Sequence, residues 1–455
     1  MQKLQTIGIY LLAFLLPWQT RYIFHYGTLN GGDWEYGTIA LYAIDILIVL
    51  ILLITLSLKL SEKTFWLSFK KSHWIPIAIL FVISCLSAFF ALDTNLAWYR
   101  VGQLFLGLAI FYIVSTDQTI SKVKIFFWFV LGACLQGVLA SWQFLTQTTF
   151  ASKWLGMAKH ISGDLGVSVI QATNPISGAD ERWLRAYGSL DHPNLLGGFL
   201  VIALLIATYL IIKRDYGSKK ITEQDQNNFC VNTFLIKCQP IVFTSLIVIT
   251  AGLFFSFSRA AWIAFAITVI IMIILAIGSF KKALPAIIPI IIIFGILGYQ
   301  HQYLVTARAD VNENLEYKSA AERIEYIKNT KQILQQHWLL GVGNGNYGLA
   351  IQKYIAPDKT NWYYQPVHNV FLLVFTELGI VGLITFIWLL LSLLISNVKK
   401  MMTDSQNIFP LLNITLLISL VIMMFFDHWL WSLHFGIILF WFVLGMSAKQ
   451  DQSES

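Results

Sequence analysis

Twelve apolar runs, most of them long enough to cross a bilayer, leave this 455-residue chain little alternative to folding in lipid. A crossing helix needs roughly 17 to 25 predominantly apolar residues. Such runs lie near 4–17, 39–60, 75–92, 98–115, 125–145, 194–212, 240–256, 260–278, 283–299, 367–396, 409–426 and 434–447. With 57% hydrophobic and 12% charged residues, the chain reads as an all-α polytopic integral membrane protein with about 12 transmembrane helices. The first run, at fourteen residues, is short and has room to extend into the aromatic stretch from Trp18 to Tyr26. No small-residue cleavage site follows it, so it is expected to remain as an anchor.

Basic residues set the expected orientation. With the N-terminus inside, alternate short loops carry Lys63, Lys70 and Lys71; Lys122 and Lys124; Lys213, Arg214, Lys219, Lys220 and Lys237; Lys281 and Lys282; and Lys399 and Lys400. The positive-inside bias makes these loops cytoplasmic and puts both termini inside. The expected organisation is helices 1–5 over 1–145, a long outer loop over 146–193, helices 6–9 over 194–299, a second long outer loop over 300–366, helices 10–12 over 367–447 and a cytoplasmic tail over 448–455.

Arginine is distributed against that bias. Of eight arginines only Arg214 falls inside, while Arg21, Arg100, Arg182, Arg185, Arg259, Arg308 and Arg323 fall on the outer side or its boundary. A guanidinium fork suits bidentate contact with phosphate or carboxylate better than an ammonium does. Some of these arginines have a plainer use, pairing with outer acids or lipid headgroups. Histidine is skewed the same way, with only His73 clearly cytoplasmic. Cys85 and Cys134 lie in spans and Cys230 and Cys238 in a reducing compartment, at spacings that match no common zinc pattern. The net charge of +7 reflects inner lysines facing anionic lipid, so nucleic acid is not an expected partner.

Four outer motifs carry candidate chemistry. His368 and Asn369 put a titratable imidazole where a polar loop re-enters an apolar helix. In the run 185–198, Pro193 suits a first helical turn, and Asp191 or His192 is placed to cap it. The turn before Arg259 is the shortest on that side, which holds a charge close to the membrane where it needs a partner. Ser319 to Glu322 reads as a capping box that opens an amphipathic helix with Ala320, Ile324, Ile327, Leu334 and Trp338 as its stripe and Arg323 at the flank. Gly341-Val-Gly-Asn-Gly-Asn-Tyr347 requires a tight turn and lacks the remainder of a nucleotide-binding loop. Asp45 and Glu377 lie within spans, where an interhelical hydrogen bond is sufficient explanation, and Asp427-His428 is a weaker outer candidate.

The succession Asp-His-Pro-Asn (191–194), Phe-Ser-Phe-Ser-Arg-Ala-Ala-Trp (255–262), Glu-Arg (322–323), Gly-Val-Gly-Asn-Gly-Asn-Tyr (341–347) and His368-Asn369 with Glu-Leu-Gly-Ile-Val-Gly (377–382) resembles the O-antigen ligase and polymerase superfamily over about 185–396. The pattern is closest to the ligases. The resemblance implies a GT-C-like fold in the bacterial cytoplasmic membrane and an outward-facing active site. It implies transfer of a glycan from undecaprenyl pyrophosphate to an acceptor hydroxyl, on the lipid A core for a ligase, with inversion and with neither metal nor other cofactor. It also implies that His368, Arg259 and Arg323 are catalytic, and that Arg185, His192, Asn194, Asn369 and Glu377 bind substrate.

Elementary chemistry is consistent with those roles. A pyrophosphate leaving group gains charge as the glycosidic bond breaks, so preplaced arginines lower the barrier, and the acceptor hydroxyl needs a base. The sequence leaves open whether His368 serves as that base or, protonated, as a phosphate ligand. It also leaves open a polysaccharide polymerase, a protein O-oligosaccharyltransferase and, in a different class, a polytopic transporter. No internal repeat or paired interrupted helices favour the last.

Overall fold

Each expected apolar run corresponds to a helix among the described residues, because in lipid only a helix or a closed barrel satisfies its own backbone. The computed structural model describes residues 1–455 apart from 66–72, 118–119, 165, 218–225, 276–279, 310–313, 405–406 and 450–455. Lys70, Lys71, Lys219, Lys220 and most of the expected tail lie outside the described residues. The helices corresponding to the twelve runs are α1 (Gln2–Leu15), α2 (Ala43–Ser61), α3 (Trp74–Phe89), α4 (Thr94–Thr116), α5 (Lys122–Thr146), α6 (Pro193–Gly217), α7 (Gln226–Phe255), α8 (Arg259–Leu275), α9 (Phe280–Gln300), α13 (Val370–Thr403), α14 (Phe409–Phe426) and α16 (His434–Ala448). Among the described residues, eight helices are long and apolar enough to cross a membrane, and α3, α8 and α16 are shorter apolar helices.

Helix α6 is the axis of the bundle. Its Leu195–Ile212 stretch is buried throughout, against α5, α7, α8, α9 and α14. By contrast α2 and α9 expose most of their apolar windows, including Ile46, Leu50, Leu53, Ile288, Ile291 and Ile296. An apolar exterior of that extent is stable against acyl chains and not against water.

Three short antiparallel hairpins, which periodicity did not reveal, dress the helix ends. They pair β1 (Arg21–His25) with β4 (Ile39–Tyr42), β2 (Thr28–Leu29) with β3 (Gly32–Asp33), and β5 (Val169–Thr173) with β6 (Asp180–Leu184). The first apolar run therefore does not continue into the aromatic stretch. Its chain turns at Leu16–Pro17 into β1, and residues 39–42, expected as the start of the second span, are strand.

The second long loop folds as α10 (Gln302–Ala309), α11 (Asn314–His337) and α12 (Tyr347–Tyr354), and the last turn between apolar runs holds α15 (Trp429–Ser432). Two expectations for α11 need correction. The helix is already formed at Asn314, so Ser319 is internal rather than a cap. Ile324, Ile327 and Trp338 of the expected packing stripe are exposed, and the buried face is Tyr326, Asn329, Thr330 and Ile333. Thr330 shares a hydrogen bond with Tyr347 (2.8 Å) and Asn329 donates to the hydroxyl of Tyr363 (3.0 Å), so polar pairing decides which face turns inward.

Helix α13 is broken at Gly379, where φ is +71° and ψ −174°. The break frees backbone groups that the loop after α11 satisfies: Val342 N–H donates to Thr376 O (2.9 Å), Gly343 N–H to Glu377 O (3.0 Å) and Ile380 N–H to Trp338 O (2.9 Å). A Cβ on Gly379 would sit 2.0 Å from Leu339 O, and one on Gly341 2.3 Å from Glu377 O. The glycine-rich turn and the helix break are thus one interlocked element, and it fixes the end of α11 against α13.

Candidate active site

The corner between α7 and α8 collects two arginines on its backbone carbonyls, and a third joins them through Arg308. Phe257, buried, holds a left-handed φ of +46°, a conformation a non-glycine residue keeps only where its surroundings enforce it. Arg185 Nε donates to Ser256 O (2.9 Å), Arg308 Nε to Phe257 O (3.4 Å), and Arg259 NH1 to Arg308 O (3.0 Å). Ala186 N–H stitches the same corner through Phe255 O (3.0 Å). Arg323 approaches from α11, its Nε buried and without a hydrogen-bond partner.

These four guanidiniums repel one another. Burial pushes Arg308 down first, and Arg185, Arg259 and Arg323 push it further. Burial likewise lowers Arg185, with Arg259 and Arg323 adding to the effect, and lowers Arg323, with Arg259 adding. Like charges gathered at a desolvated corner are relieved by an anion. The other arginines expected on the outer side are engaged elsewhere. Arg21 pairs with Glu35, Arg182 donates to Asp164 O (3.1 Å), and Arg100 donates to Gln103, Ser432 O and Tyr36 O (2.8 to 2.9 Å).

Asn194 joins the arginines to a second cluster. Its Oδ1 accepts from Arg185 NH2 (2.8 Å) while its Nδ2 donates to Asp427 Oδ2 (2.8 Å). Asp427 Oδ1 accepts from His428 N–H (2.8 Å). His368 meets the same carboxylate from the start of α13, held between Tyr326, parallel at 5.4 Å, and His428, edge-on at 4.9 Å. Its Nδ1 is buried with no hydrogen-bond partner. Asn369 caps α13 by accepting from Leu372 N–H (3.0 Å), which explains its place beside His368. His192 caps α6, with Nδ1 accepting from Asn194 N–H (3.1 Å) and Nε2 therefore donating to Ser168 Oγ (2.9 Å). That pattern fixes the neutral tautomer.

Electrostatics couple one buried carboxylate to three buried imidazoles. Burial pushes His192, His368 and His428 down, and neighbouring positive groups push each further: Arg185 for His192, Arg323 for His368 and Arg100 for His428. Burial alone would raise Asp427, but His368, His428, His192 and the Asn194 amide hold it down to about 2. His368, Asp427 and His428 each offer a ligand atom within 4.8 Å of the others, spacing that a cation could span. The surrounding guanidiniums oppose a divalent ion there.

Of the residues expected from sequence, the structure brings together Arg185, His192, Asn194, Arg259, Arg323 and His368, with Asn369 adjacent as a cap. Glu377 stands apart: Trp431 Nε1 donates to its Oε2 (2.9 Å), and it lines a pocket with Arg100, Gly345 and Tyr347. Sequence reasoning did not select Arg308, whose loop carries no motif, nor Tyr326, and it ranked Asp427 and His428 low. Asp45, as allowed for, bonds between helices, to His434 Nε2 (2.6 Å).

Residues 244–387 match a family model described as O-antigen ligase. The match takes in Arg259, Arg308, Arg323 and His368, and supports a glycan-handling membrane enzyme of the O-antigen ligase and polymerase type. No match to a curated protein was found.

Proposed function

We propose, from the premise that residues 244–387 form an O-antigen ligase domain, that this protein transfers a glycan from undecaprenyl pyrophosphate to a hydroxyl of the lipid A core at the outer leaflet of a bacterial cytoplasmic membrane. The observation that carries the proposal is the junction of two clusters through Asn194, four arginines on one side and His368 with Asp427 on the other. The arginines receive the pyrophosphate. Charge on the phosphate oxygen that was joined to the sugar grows as the glycosidic bond breaks, and cations already fixed in a dry corner stabilise that state without reorganising.

His368 takes the proton from the acceptor hydroxyl as its oxygen attacks the anomeric carbon. A ring kept neutral by burial is ready to accept a proton near pH 7, which favours this role over that of phosphate ligand. Asp427, ionised beside it, stabilises the imidazolium that forms. Attack opposite the departing pyrophosphate inverts the anomeric centre. The guanidiniums provide the neutralisation a divalent ion supplies elsewhere, so no metal is required. With both termini inside, the long loops that carry this cluster face the periplasm.

The test is reconstitution with a defined polyprenyl-pyrophosphate glycan, offering lipid A core, a second lipid-linked glycan and a protein acceptor in turn, with chelator present. Transfer to lipid A core alone is expected. Lengthening of the donor glycan would make the enzyme a polymerase instead, and transfer to protein an O-oligosaccharyltransferase. His368→Ala is expected to abolish turnover in a protein that still inserts, and near-normal turnover would overturn the mechanism.

A further inference from the structure

The loop that follows α5 turns back on itself and presents its largest apolar side chain to the outside. Residues 148–161 form a narrow hairpin, closed by bridges between Thr148 and Ile161 and between Ser152 and Met157. At its tip Trp154 is 79% exposed, with Leu155 exposed beside it. The backbone of that tip is firmly braced. Trp18 Nε1 donates to Trp154 O (2.7 Å), and the Thr20 hydroxyl donates to the same carbonyl. Gly156, at φ +67°, packs so closely on Gln19 that a Cβ there would lie 2.2 Å from its carbonyl carbon. A fixed hairpin with an indole and a leucine bare at its tip is built to meet an apolar neighbour.

Continuity with the exposed apolar surface of the bundle identifies that neighbour. Along α5 the exposed residues Trp128, Leu135, Val138, Trp142 and Leu145 recur on one helical face. Trp128 to Leu145 is about 25 Å of helix at roughly 1.5 Å per residue, close to the ~30 Å hydrocarbon thickness of a bilayer. Phe150 of the hairpin packs edge-on against Trp142 in the last turns of that stripe, with ring centroids 5.6 Å apart. The tip is thus tied back to the ends of two apolar helices, α5 and α1, and the exposed residues of α1 are Leu4, Ile7 and Leu11. Strand β1 prolongs the same rim. Its Tyr22 and Phe24 are exposed with rings 5.1 Å apart, and Leu41, opposite Tyr22, leads into the exposed face of α2.

The charge on the hairpin narrows the partner further. It carries Lys153 and Lys159, both exposed, and no acid. Indole, leucine and ammonium side by side suit the boundary of a bilayer, where aromatic rings sit at headgroup level and lysine meets phosphate. The hairpin also lies at the end of the bundle that carries the candidate site. Its His160 stacks on Tyr187 at 4.3 Å, and Tyr187 lies edge-on to His192 at 6.5 Å. We infer that the 148–161 hairpin is an interfacial anchor, seated by Trp154 and Leu155 in the phospholipid headgroup layer of the leaflet beside the candidate site. The stack of His160 on Tyr187 carries the depth of that seat to the start of α6 and its cap, His192.

The test places a nitroxide spin label at Trp154→Cys in the full-length protein, with Cys85, Cys134, Cys230 and Cys238 replaced by alanine, in nanodiscs of phosphatidylglycerol. The substitution keeps the carbonyl that Trp18 and Thr20 hold, and the melting temperature reports whether the fold is kept. Asp358→Cys, exposed in the second long loop, is the aqueous reference. Collision of each label with oxygen, which partitions into lipid, is compared with collision with a water-soluble nickel chelate. The ratio of oxygen to nickel accessibility is expected to be about threefold higher at 154 than at 358, as for an interfacial side chain. Equal ratios would put the tip in water and overturn the inference. A label at 154 that neither reagent reaches would overturn it too, because a second copy or another protein would then cover the tip. No turnover is measured, so the result stands apart from the glycosyl-transfer reading.

Discussion

His368 lies parallel to Tyr326, with ring centroids 5.4 Å apart and planes within 5°. A residue of the loop helix therefore sets the position of an imidazole that belongs to the start of a membrane helix. An aromatic pair contributes about 0.5–1.5 kcal/mol beyond burial, up to roughly tenfold in rate if it is all spent on orientation. Tyr326→Leu is expected to lower kcat about tenfold with little change in KM for the donor, and Tyr326→Phe to restore it. Steady-state kinetics of the two variants check this, and equal losses in both would show that the hydroxyl, not the ring, matters.

The acid limb of the pH profile is expected to follow His368. Burial depresses the imidazole below its ordinary value, so the neutral, proton-accepting form persists as pH falls and the limb should lie below pH 6.5. The sign of each neighbour follows. Asp427 favours the charged ring, so Asp427→Asn should move the limb to lower pH; Arg323 disfavours it, so Arg323→Gln should move it to higher pH. Profiles of kcat/KM for the residual activities test this, and shifts in the opposite directions would exclude His368 as the titrating group.

The span pattern was legible in the sequence because lipid forces each apolar run to satisfy its own backbone. The half of the site written in local motifs was legible too, since Asp191–Asn194 and the turn before Arg259 carry their own geometry. What was hidden depends on tertiary contact. Arg308 reaches the corner only because α10 lies against Phe257, and Tyr326 faces inward because Asn329 and Thr330 find polar partners. The apolar stripe of α11 misled for a physical reason: beside a bilayer, the apolar face of a helix can be the exposed one. Glu377 was expected to bind substrate from the resemblance alone; the structure places it beside the helix break at Gly379, and no single-residue pattern announces a loop bonding into a broken helix.

That break makes a stability prediction. Gly379 occupies a backbone region that other residues avoid, and its missing Cβ leaves room for Leu339 O. Such a conformation costs an L-residue about 1–3 kcal/mol before any clash is counted. Gly379→Ala is expected to lower the melting temperature of the detergent-solubilised protein by several degrees and to reduce turnover by releasing α11. Gly102→Ala, within α4 where a Cβ meets nothing within 4 Å, is expected to be neutral or mildly stabilising. A Gly379→Ala protein as stable as its parent would contradict the interlock.

The arginine corner makes the strongest claim, because Arg259 and Arg308 are joined by a hydrogen bond and by mutual repulsion. Arg259→Lys keeps the charge but loses the fork, and a preplaced donor of this kind is worth about 10²–10³ in kcat. A fall of that order is expected. Arg308→Gln removes one charge from the set, and a smaller fall is expected because the remaining three guanidiniums repel less and hold the anion more closely. If the two residues act on one pyrophosphate, their effects must couple, since contacting residues in one network depart from additivity. The double variant Arg259→Lys/Arg308→Gln should lose less than the product of the two single losses in kcat/KM for the lipid-linked donor. Losses that multiply would mean the arginines act on separate groups, and a shared anion site at this corner would be wrong.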